Sequence, residues 1–349
     1  MNQNVSGFRE LHISRPSAAC EWGDRLASAF AYASLPIHWY SSDAEVVSGS
    51  GISGASVLSV IRTPLAGWIS VAQHGTLNVR HREYYVHPII GCKSACTYCY
   101  LQAKPRTRTP LRFHVDLDSL QTAIKDCVAA NSSNGPLLLC TGELADSLAD
   151  SDLFPVAHML VQLVSQLEHA HLELRTKSDA VQSLPTQGHN SKTTVAFSLN
   201  PSVHVARYEP GTVSLEARLA AAQWCQDRGY PIALKLEPLL LTEDWRELWR
   251  ITLKQTAASL IASQIEHVSV GCLRWSDELG SLNHFRRNHR ELIEYPARIE
   301  YRPGCFNSTA PFVTRMEAYR WMREMLRDNG IFAPIWWSME ERSVVEELR

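Results

Sequence analysis

No stretch of the 349-residue chain approaches the roughly 18 consecutive apolar residues that a helix needs to span a bilayer. The N-terminus, MNQNVSGFRELHISRPSAAC, is polar and has no apolar segment of the kind that directs secretion. Charge of one sign is not in excess, because 34 Lys and Arg stand against 36 Asp and Glu. We therefore expect a cytoplasmic protein without a membrane partner, in which any binding site for a polyanion is local.

The chain has an odd number of cysteines, nine, at positions 20, 92, 96, 99, 127, 140, 225, 272 and 305. This count is not typical of a disulfide framework, and clustered cysteines in a reducing compartment more often bind metal. The hydrophobic share of 45% supplies a sizeable core and excludes collagen, coiled coil and wholesale disorder.

From residue 83 onward, short apolar runs alternate with amphipathic stretches of helical length, which predicts repeated βα units and a parallel sheet. Six such units favour either an open barrel or a doubly wound sheet. The predicted strands are 84–90, 136–140, 171–176, 194–199, 232–236 and 267–272, and the predicted helices are 116–130, 154–169, 214–228, 243–263 and 281–293.

The pattern divides the chain into three parts. Residues 1–80 have no clear periodicity and are interpreted as an N-terminal extension packed on the barrel. Residues 81–295 hold the βα units. Residues 296–349 contain a short run, a strong helix over 315–327 and the apolar run IFAPIWW, and we expect them to form a small α/β cap and not a seventh unit.

The segment HPIIGCKSACTYCYLQ places Cys92, Cys96 and Cys99 in a C-x3-C-x2-C spacing directly after the first predicted strand. Three thiolates on one tight loop can hold three irons of a [4Fe-4S] cluster and leave the fourth iron open to another ligand. A zinc site is the alternative, with His87 or His81 as the nearest further ligand, but structural zinc loops usually come as two C-x2-C pairs and this chain has one.

This spacing, with an aromatic residue before the last cysteine, resembles the cluster loop of the radical S-adenosylmethionine (SAM) superfamily. The resemblance implies a partial (β/α)6 TIM-like barrel, SAM bound at the open iron, and cleavage of SAM to a 5'-deoxyadenosyl radical. Active sites of parallel barrels gather at the carboxyl ends of the strands, where this loop is predicted to lie.

Over roughly residues 83–290 the chain resembles spore photoproduct lyase and its relatives. The likeness places Tyr98 and Tyr100, which flank the last loop cysteine in CTYCYLQ, among the catalytic residues. It also implies that Cys140, in LLLCTGELADSL, returns a hydrogen atom to the product radical. A protonated thiol has a weak S–H bond and behaves as a small apolar residue, so it suits a dry pocket. The alternative is a packed strand residue.

The same resemblance implies a set of residues that bind SAM. A carboxylate suits the ammonium of the methionine moiety, and a glycine beside it permits close backbone approach. The simpler interpretations are a strand-to-helix turn and solvent-exposed side chains. The residues implied are Thr141, Gly142, Glu143, Lys177, Ser198 and Asn200.

The segment from YEPGT to GYPIALKLEPLL also resembles the family, but Ser214 as a helix cap before an apolar repeat explains most of it. We take this segment, including Arg218, as evidence for the fold. Trp336 and Trp337 are interpreted as core residues and not as platforms for bases.

The likeness weakens where the DNA lyases carry a basic hairpin. Arginines at 298, 302 and 315 do not reproduce that pattern, and Cys305 lies in the same segment. Two other basic stretches, 104–112 and 286–290, could contact phosphates or be solvated faces.

Three hypotheses follow. The first is a carbon-carbon lyase of the spore photoproduct lyase type, which repairs a thymine dimer in DNA and takes electrons from a donor such as flavodoxin or ferredoxin. The second is a radical SAM enzyme that modifies a nucleotide, peptide or small metabolite. The third is a non-catalytic iron-sulfur or zinc protein.

Overall fold

The structure, a computed structural model, describes residues 5, 7–49, 56–64, 67–72, 82–103, 110–276, 292, 297–302 and 305–348. Their strands form a five-stranded, an eight-stranded and a three-stranded sheet. The strands are β1 Glu10–Ser14, β2 Ile37–Tyr40, β3 Val57–Ile61, β4 Ile69–Val71, β5 Arg82–Val86, β6 Ile89–Ile90, β7 Leu111–His114, β8 Leu137–Thr141, β9 Ala170–Thr176, β10 Thr193–Ser198, β11 Ile232–Leu239, β12 Ile265–Cys272, β13 Arg274–Ser276, β14 Ala297–Arg302, β15 Cys305–Thr309 and β16 Ile335–Trp337.

Some helices begin after a residue whose side chain accepts a hydrogen bond from a backbone N–H of the first turn. The Ser214 hydroxyl accepts a hydrogen bond from the backbone N–H of Ala217 (3.2 Å), and Asp116 does the same for Ser119 (3.1 Å). The helices are α1 Arg15–Ala18, α2 Glu21–Tyr32, α3 Asp43–Ser48, α4 Tyr100–Ala103, α5 Leu117–Asn131, α6 Val156–Ser165, α7 Ser202–Tyr208, α8 Leu215–Gln226, α9 Trp245–Ser259, α10 Phe312–Asp328 and α11 Arg342–Glu347. None of these described helices combines the length and the apolar character that crossing a membrane requires.

The five-stranded sheet has the order β2-β1-β3-β7-β6 and is parallel except for the pair β6 and β7. Leu11 and Ile13 of β1 are buried with Leu26 and Phe30 of α2. Much of the segment 1–80 is therefore a small α/β layer, and strands β6 and β7 from beyond residue 80 complete its sheet. The boundary at residue 80 stays a prediction.

The eight-stranded sheet has the order β16-β12-β11-β10-β9-β8-β5-β4 and is curled into a half-barrel. The six predicted strands are its six adjacent strands β5, β8, β9, β10, β11 and β12, all parallel. This confirms the fold class.

Two details differ from expectation. The predicted strand 84–90 is divided at His87 and Pro88, so that β5 joins the half-barrel while β6 joins the five-stranded sheet. Proline lacks the N–H that a ladder needs, which suits it to this break. The helix predicted over 281–293 lies outside the described residues, apart from residue 292.

The C-terminal segment is more than the cap expected from the sequence. β16 pairs in parallel with β12 and extends the half-barrel by a seventh parallel strand. Trp337 is buried as expected, but Trp336 is half-buried and stacks on His267 with ring centroids 3.5 Å apart.

Candidate active site

The cysteine loop, residues 91–99, lies between β6 and α4 and is held by backbone hydrogen bonds to distant segments. The N–H of Gly91 donates to Leu144 O (2.8 Å), and the N–H of Thr97 donates to Tyr208 O (2.8 Å). Gly211 donates its N–H to Ser94 O (3.0 Å). A Cβ on Gly211 would lie 2.7 Å from the carbonyl oxygens of both Lys93 and Ser94, so only glycine fits there. The EPGT segment is thus part of the support for the loop.

One cavity gathers eight of the twelve residues that the sequence singles out. Its wall is formed by the cysteine loop, the turn after β8, and the carboxyl ends of β9 and β10. Polar atoms from four neighbouring elements therefore meet where a parallel barrel places its active site. The eight are Cys92, Cys96, Tyr98, Cys99, Gly142, Glu143, Lys177 and Ser198.

The three loop thiols are largely buried, and burial raises the pKa of Cys92 to about 11 and that of Cys96 to about 12. Burial also raises the pKa of Cys99, while the Lys177 ammonium acts in the opposite direction on Cys96 and Cys99. Without a metal the thiols are protonated, and metal binding would release those protons.

The spacing of the sulfur atoms separates zinc from a larger cluster. Four sulfurs at about 2.3 Å from one zinc ion lie roughly 3.8 Å apart. Among the described residues, the set of three ligand atoms that lie within 4.8 Å of one another is Glu10, His12 and His38, and not the loop cysteines. Among the described residues the loop cysteines are therefore not gathered at a single-ion position, and their all-thiol donor set fits an iron-sulfur cluster.

Glu209 is the centre of the site's hydrogen bonding, and sequence reasoning missed it. Its buried carboxylate accepts hydrogen bonds from Tyr98, from Asn200 Nδ2 (2.8 Å) and from Arg218 Nη2 (2.6 Å), and lies 3.7 Å from Lys177 Nζ. Burial would raise the pKa of Glu209, but Lys177, Arg218 and the hydrogen bonds outweigh it and lower the pKa to about 2. Three predicted site residues thus meet on one carboxylate. The acid of YEPGT, directly before a Pro-Gly pair, was the available signal.

The turn after β8 is closely packed. Gly142 has φ +94°, and a Cβ there would lie 2.7 Å from the carbonyl oxygen of Arg175. The Tyr100 hydroxyl donates to the backbone oxygen of Glu143 (3.0 Å), whose carboxylate lies 3.6 Å from His87 Nε2. Thr141 shares a 2.7 Å hydrogen bond with Ser147, so its side chain shapes the turn.

Asp146 is a second acid that sequence reasoning missed. Its carboxylate accepts hydrogen bonds from the Thr176 hydroxyl (2.7 Å) and from the backbone N–H of Lys177 (2.7 Å). It also lines the cavity. Asp146 therefore positions the end of β9, from which Lys177 extends.

Cys140 lies on the concave face of the half-barrel and is fully buried. Arg175 Nη2 lies 3.3 Å from its sulfur, and Arg175 also pairs with Glu83 and with Glu173 (2.5 Å). Burial raises the pKa of Cys140 well above its ordinary value although Arg175 acts in the opposite direction. Arg175 also lines the cavity, so one side chain contacts both the cavity and the thiol.

The concave face beyond Cys140 carries further charges that periodicity alone did not reveal. Lys235 Nζ lies 2.7 Å from Glu237 Oε1, which also accepts a hydrogen bond from Ser269 (2.8 Å). His267 Nε2 lies 3.3 Å from a Glu173 oxygen. The concave face thus carries charged side chains on β9, β11 and β12.

Of the basic residues considered for nucleic-acid contact, Arg298 is exposed on β14 and Arg112 is half-buried on β7, and the others fall into two groups. Arg315 is buried and lies 3.2 Å from Glu340 and 2.8 Å from Glu341, so it supports α10 and is not available to a ligand. The stretches 104–109 and 286–290 and the side chains of Arg302 and Cys305 lie outside what the structure describes.

A family model described as spore photoproduct lyase matches residues 19–276, well over half of the chain. Spore photoproduct lyase from Bacillus subtilis (strain 168) is 30% identical over 188 residues, which is 51% of this chain and 52% of that protein. The protein of the same name from Clostridium acetobutylicum is 25% identical over 189 residues, 52% of this chain and 54% of that protein. The chain spans about half the length of the curated relatives it matches.

Solved structures of spore photoproduct lyase share the fold over nearly the whole chain. A tyrosine-to-phenylalanine mutant superposes with a TM-score of 0.82 at 17% identity and covers 95% of this chain and 99% of that one. A mutant with bound AdoMet and dinucleoside spore photoproduct has a TM-score of 0.81 at 18% identity, with the same coverage. The family model also includes residues 19–80, for which the sequence alone indicated no family.

Proposed function

Because the chain belongs to the spore photoproduct lyase family, we propose that it is a radical SAM carbon-carbon lyase that repairs a spore photoproduct-type thymine dimer. Cys92, Cys96 and Cys99 would hold a [4Fe-4S] cluster with one iron open to SAM. The relative with bound AdoMet and dinucleoside spore photoproduct supports this choice of cofactor and substrate class. The observation that carries the proposal is Arg175, which lines the cavity beside the loop cysteines and contacts the buried thiol of Cys140.

The chain's own residues have distinct proposed roles around the cofactor. The bound cluster and SAM supply a reductively generated 5'-deoxyadenosyl radical that abstracts a hydrogen atom. Glu143, in the turn fixed by Gly142, faces the cavity and suits the ammonium of SAM. Lys177 faces the same space and suits its carboxylate, and the Ser198 hydroxyl can bind a further polar group.

Two of the predicted cofactor residues have indirect proposed roles. Asn200 donates to Glu209 and Thr141 bonds to Ser147, so each positions a segment of the wall. Tyr98 reaches the cavity but its hydroxyl is committed to Glu209. We infer that Tyr98 contributes its ring to the wall and that Tyr100 supports the backbone of Glu143.

Cys140 has the protonation state that hydrogen-atom return requires. The fully buried thiol keeps its proton, because burial raises its pKa well above the ordinary value. After the bond between the two pyrimidines breaks, S–H cleavage would give the hydrogen atom to the product radical and leave a sulfur radical on Cys140. Return of a hydrogen atom to that sulfur from 5'-deoxyadenosine would restore the Cys140 thiol and re-form the nucleoside radical. SAM would be regained if that radical rejoined methionine and one electron returned to the cluster.

The proposal is tested under anaerobic conditions. Reconstituted protein is expected to contain about four irons per chain and, with dithionite and SAM, to convert dinucleotide spore photoproduct to thymidylyl-thymidine. Cys140→Ala should divert the product radical to adducts, whereas Cys225→Ala, at another buried cysteine, should repair cleanly. Formation of 5'-deoxyadenosine without repair would instead favour another nucleotide, peptide or metabolite as substrate. A colourless protein that cleaves no SAM would refute the radical chemistry itself.

The partners remain part of the same proposal. The substrate is a lesion in DNA or a nucleotide, and the electron donor is a flavodoxin or ferredoxin. The cytoplasmic location expected from the sequence stays a prediction.

A further inference from the structure

A second group of metal-ligating side chains lies on the five-stranded sheet, away from the cysteine loop. Glu10 and His12 are two residues apart on β1 and therefore point to the same face of the sheet. His38 of β2 pairs in register with His12, so its side chain joins them on that face. Strand β2 is the edge strand of the sheet.

The three ligand atoms lie close to the spacing of a zinc site. Glu10 Oε2 is 3.2 Å from His38 Nε2, Glu10 Oε1 is 3.8 Å from His12 Nε2, and all three ligand atoms lie within 4.8 Å of one another. Nitrogen and oxygen ligands at about 2.0–2.1 Å from a tetrahedral zinc ion are roughly 3.4 Å apart. The His12 and His38 rings are stacked with centroids 4.4 Å apart, so both rings must rotate to turn their nitrogens towards one ion.

One ring nitrogen of His12 has a hydrogen-bond partner and the other has none among the described residues. Its Nδ1 lies 2.8 Å from the Tyr40 hydroxyl, while its Nε2 is buried without a hydrogen-bond partner among the described residues. His12 is 7% exposed. A buried ring nitrogen left unpaired in this way costs free energy unless something binds it. A hydrogen bond at the other ring nitrogen is what holds metal-ligating histidines in the correct tautomer.

The electrostatic surroundings also suit a cation. Glu10 contributes one negative charge beside the two imidazoles, with Oε1 towards His12 and Oε2 towards His38. Arg9 Nε lies 3.3 Å from Glu10 Oε1 and its side chain is 62% exposed, so a metal ion at Glu10 competes with a largely solvent-exposed ion pair.

We propose that Glu10, His12 and His38 bind one Zn²⁺ ion, with water in the remaining position. The side chain of His38 is 46% exposed and that of Glu10 is 23% exposed, so solvent reaches the open side of the site. The ion fastens the edge strand β2 to β1, and Tyr40 fixes the tautomer of His12. The proposal is independent of the radical chemistry and of the cysteine loop.

The test compares zinc binding in the metal-free protein and its variants by equilibrium dialysis and elemental analysis. The loop thiols are the same in every variant, so any difference reports on the histidine site. Wild type is expected to bind one more zinc per chain than His38→Ala or Glu10→Gln at low micromolar zinc. His169→Ala, at an exposed histidine elsewhere, should bind as wild type does. Tyr40→Phe should weaken binding by about 10-fold, as expected when a ligand's hydrogen-bond partner is lost.

Thermal unfolding supplies a second measurement. Zinc should raise the melting temperature of wild type and His169→Ala more than that of His38→Ala, because an ion that binds only the folded state stabilises it. Equal zinc content and equal thermal shifts in wild type, His38→Ala and Glu10→Gln would overturn the proposal.

Discussion

The phenol of Tyr98 donates a hydrogen bond to the carboxylate of Glu209, although the two residues are 111 positions apart in the chain. This contact joins the cysteine loop to the segment that follows β10. Glu209 also binds Asn200, which follows β10, and Arg218 of α8. One carboxylate therefore connects the cysteine loop, the end of β10 and α8. The position of the loop therefore depends on a carboxylate that is not itself one of the proposed iron ligands.

We predict that Glu209→Ala lowers the free energy of unfolding by about 3–5 kcal/mol, since it leaves the buried Arg218 guanidinium without its counter-charge. Urea unfolding of the purified protein measures this. Glu216→Ala, at an exposed acid on α8, should change the free energy by roughly 0.5 kcal/mol or less. Equal losses in the two variants would contradict the central role of Glu209.

Gly211→Ala is predicted to reduce the iron content of reconstituted protein. The added Cβ would press on the carbonyl oxygens of Lys93 and Ser94 and displace the loop that carries the cysteines. Gly188→Ala is the control. Its φ of +76° makes alanine strained, but the added Cβ has no atom within 4 Å to displace. That strain costs on the order of 1 kcal/mol. Iron analysis after anaerobic reconstitution should show a loss in Gly211→Ala alone.

The six barrel strands could be predicted because each is a short buried run, such as Val195–Phe197 within β10, between polar helical repeats. The carboxyl ends of parallel strands meet at one edge, so Glu143, Lys177 and Ser198 could be placed near the cysteine loop. The resemblance to a known family added the proposed roles.

The rest depends on contacts between distant segments. Glu209 acquires its partners from three separate elements, and nothing in YEPGT itself specifies them. The five-stranded sheet was not predicted because its strands are short, as in Ile37–Tyr40, and Ile89–Ile90 comes from beyond residue 80. Pairing with β12 makes Ile335–Trp337, the end of IFAPIWW, a barrel strand, and a local pattern does not encode that choice of partner.

Cys140 is predicted to resist alkylation by iodoacetamide at pH 8 in the folded protein. Its side chain is fully buried and its pKa is raised well above the ordinary value by burial, so both access and thiolate are lacking. Cys20 and Cys127 are only partly buried and should react at least 10-fold faster. Peptide mass spectrometry after a timed reaction measures the three rates. Rapid labelling of Cys140 under native conditions would show that the concave face is open to reagents.

Glu237 is predicted to make stability depend on pH in the acid range. Burial would raise the pKa of Glu237, but Lys235 and hydrogen bonds from Ser338 and Ser269 outweigh it and lower the pKa to about 2. A carboxyl whose folded pKa is depressed stabilises the protein above its unfolded pKa of about 4.3 and loses that contribution as the pH falls towards 2. The full contribution is at most about 3 kcal/mol, and partial solvent exposure reduces it.

The measurement is the difference in unfolding free energy between wild-type apoprotein and Glu237→Gln, taken from urea titrations at several pH values. Glutamine cannot ionise, so the advantage of wild type should be largest above pH 5 and should shrink steadily as the pH falls below 4. Glu243→Gln, at a carboxylate outside this network, should show no such trend. An advantage for wild type that stays constant between pH 5 and pH 2.5 would mean that neither Lys235 nor the two serine hydroxyls stabilise the ionised form of Glu237.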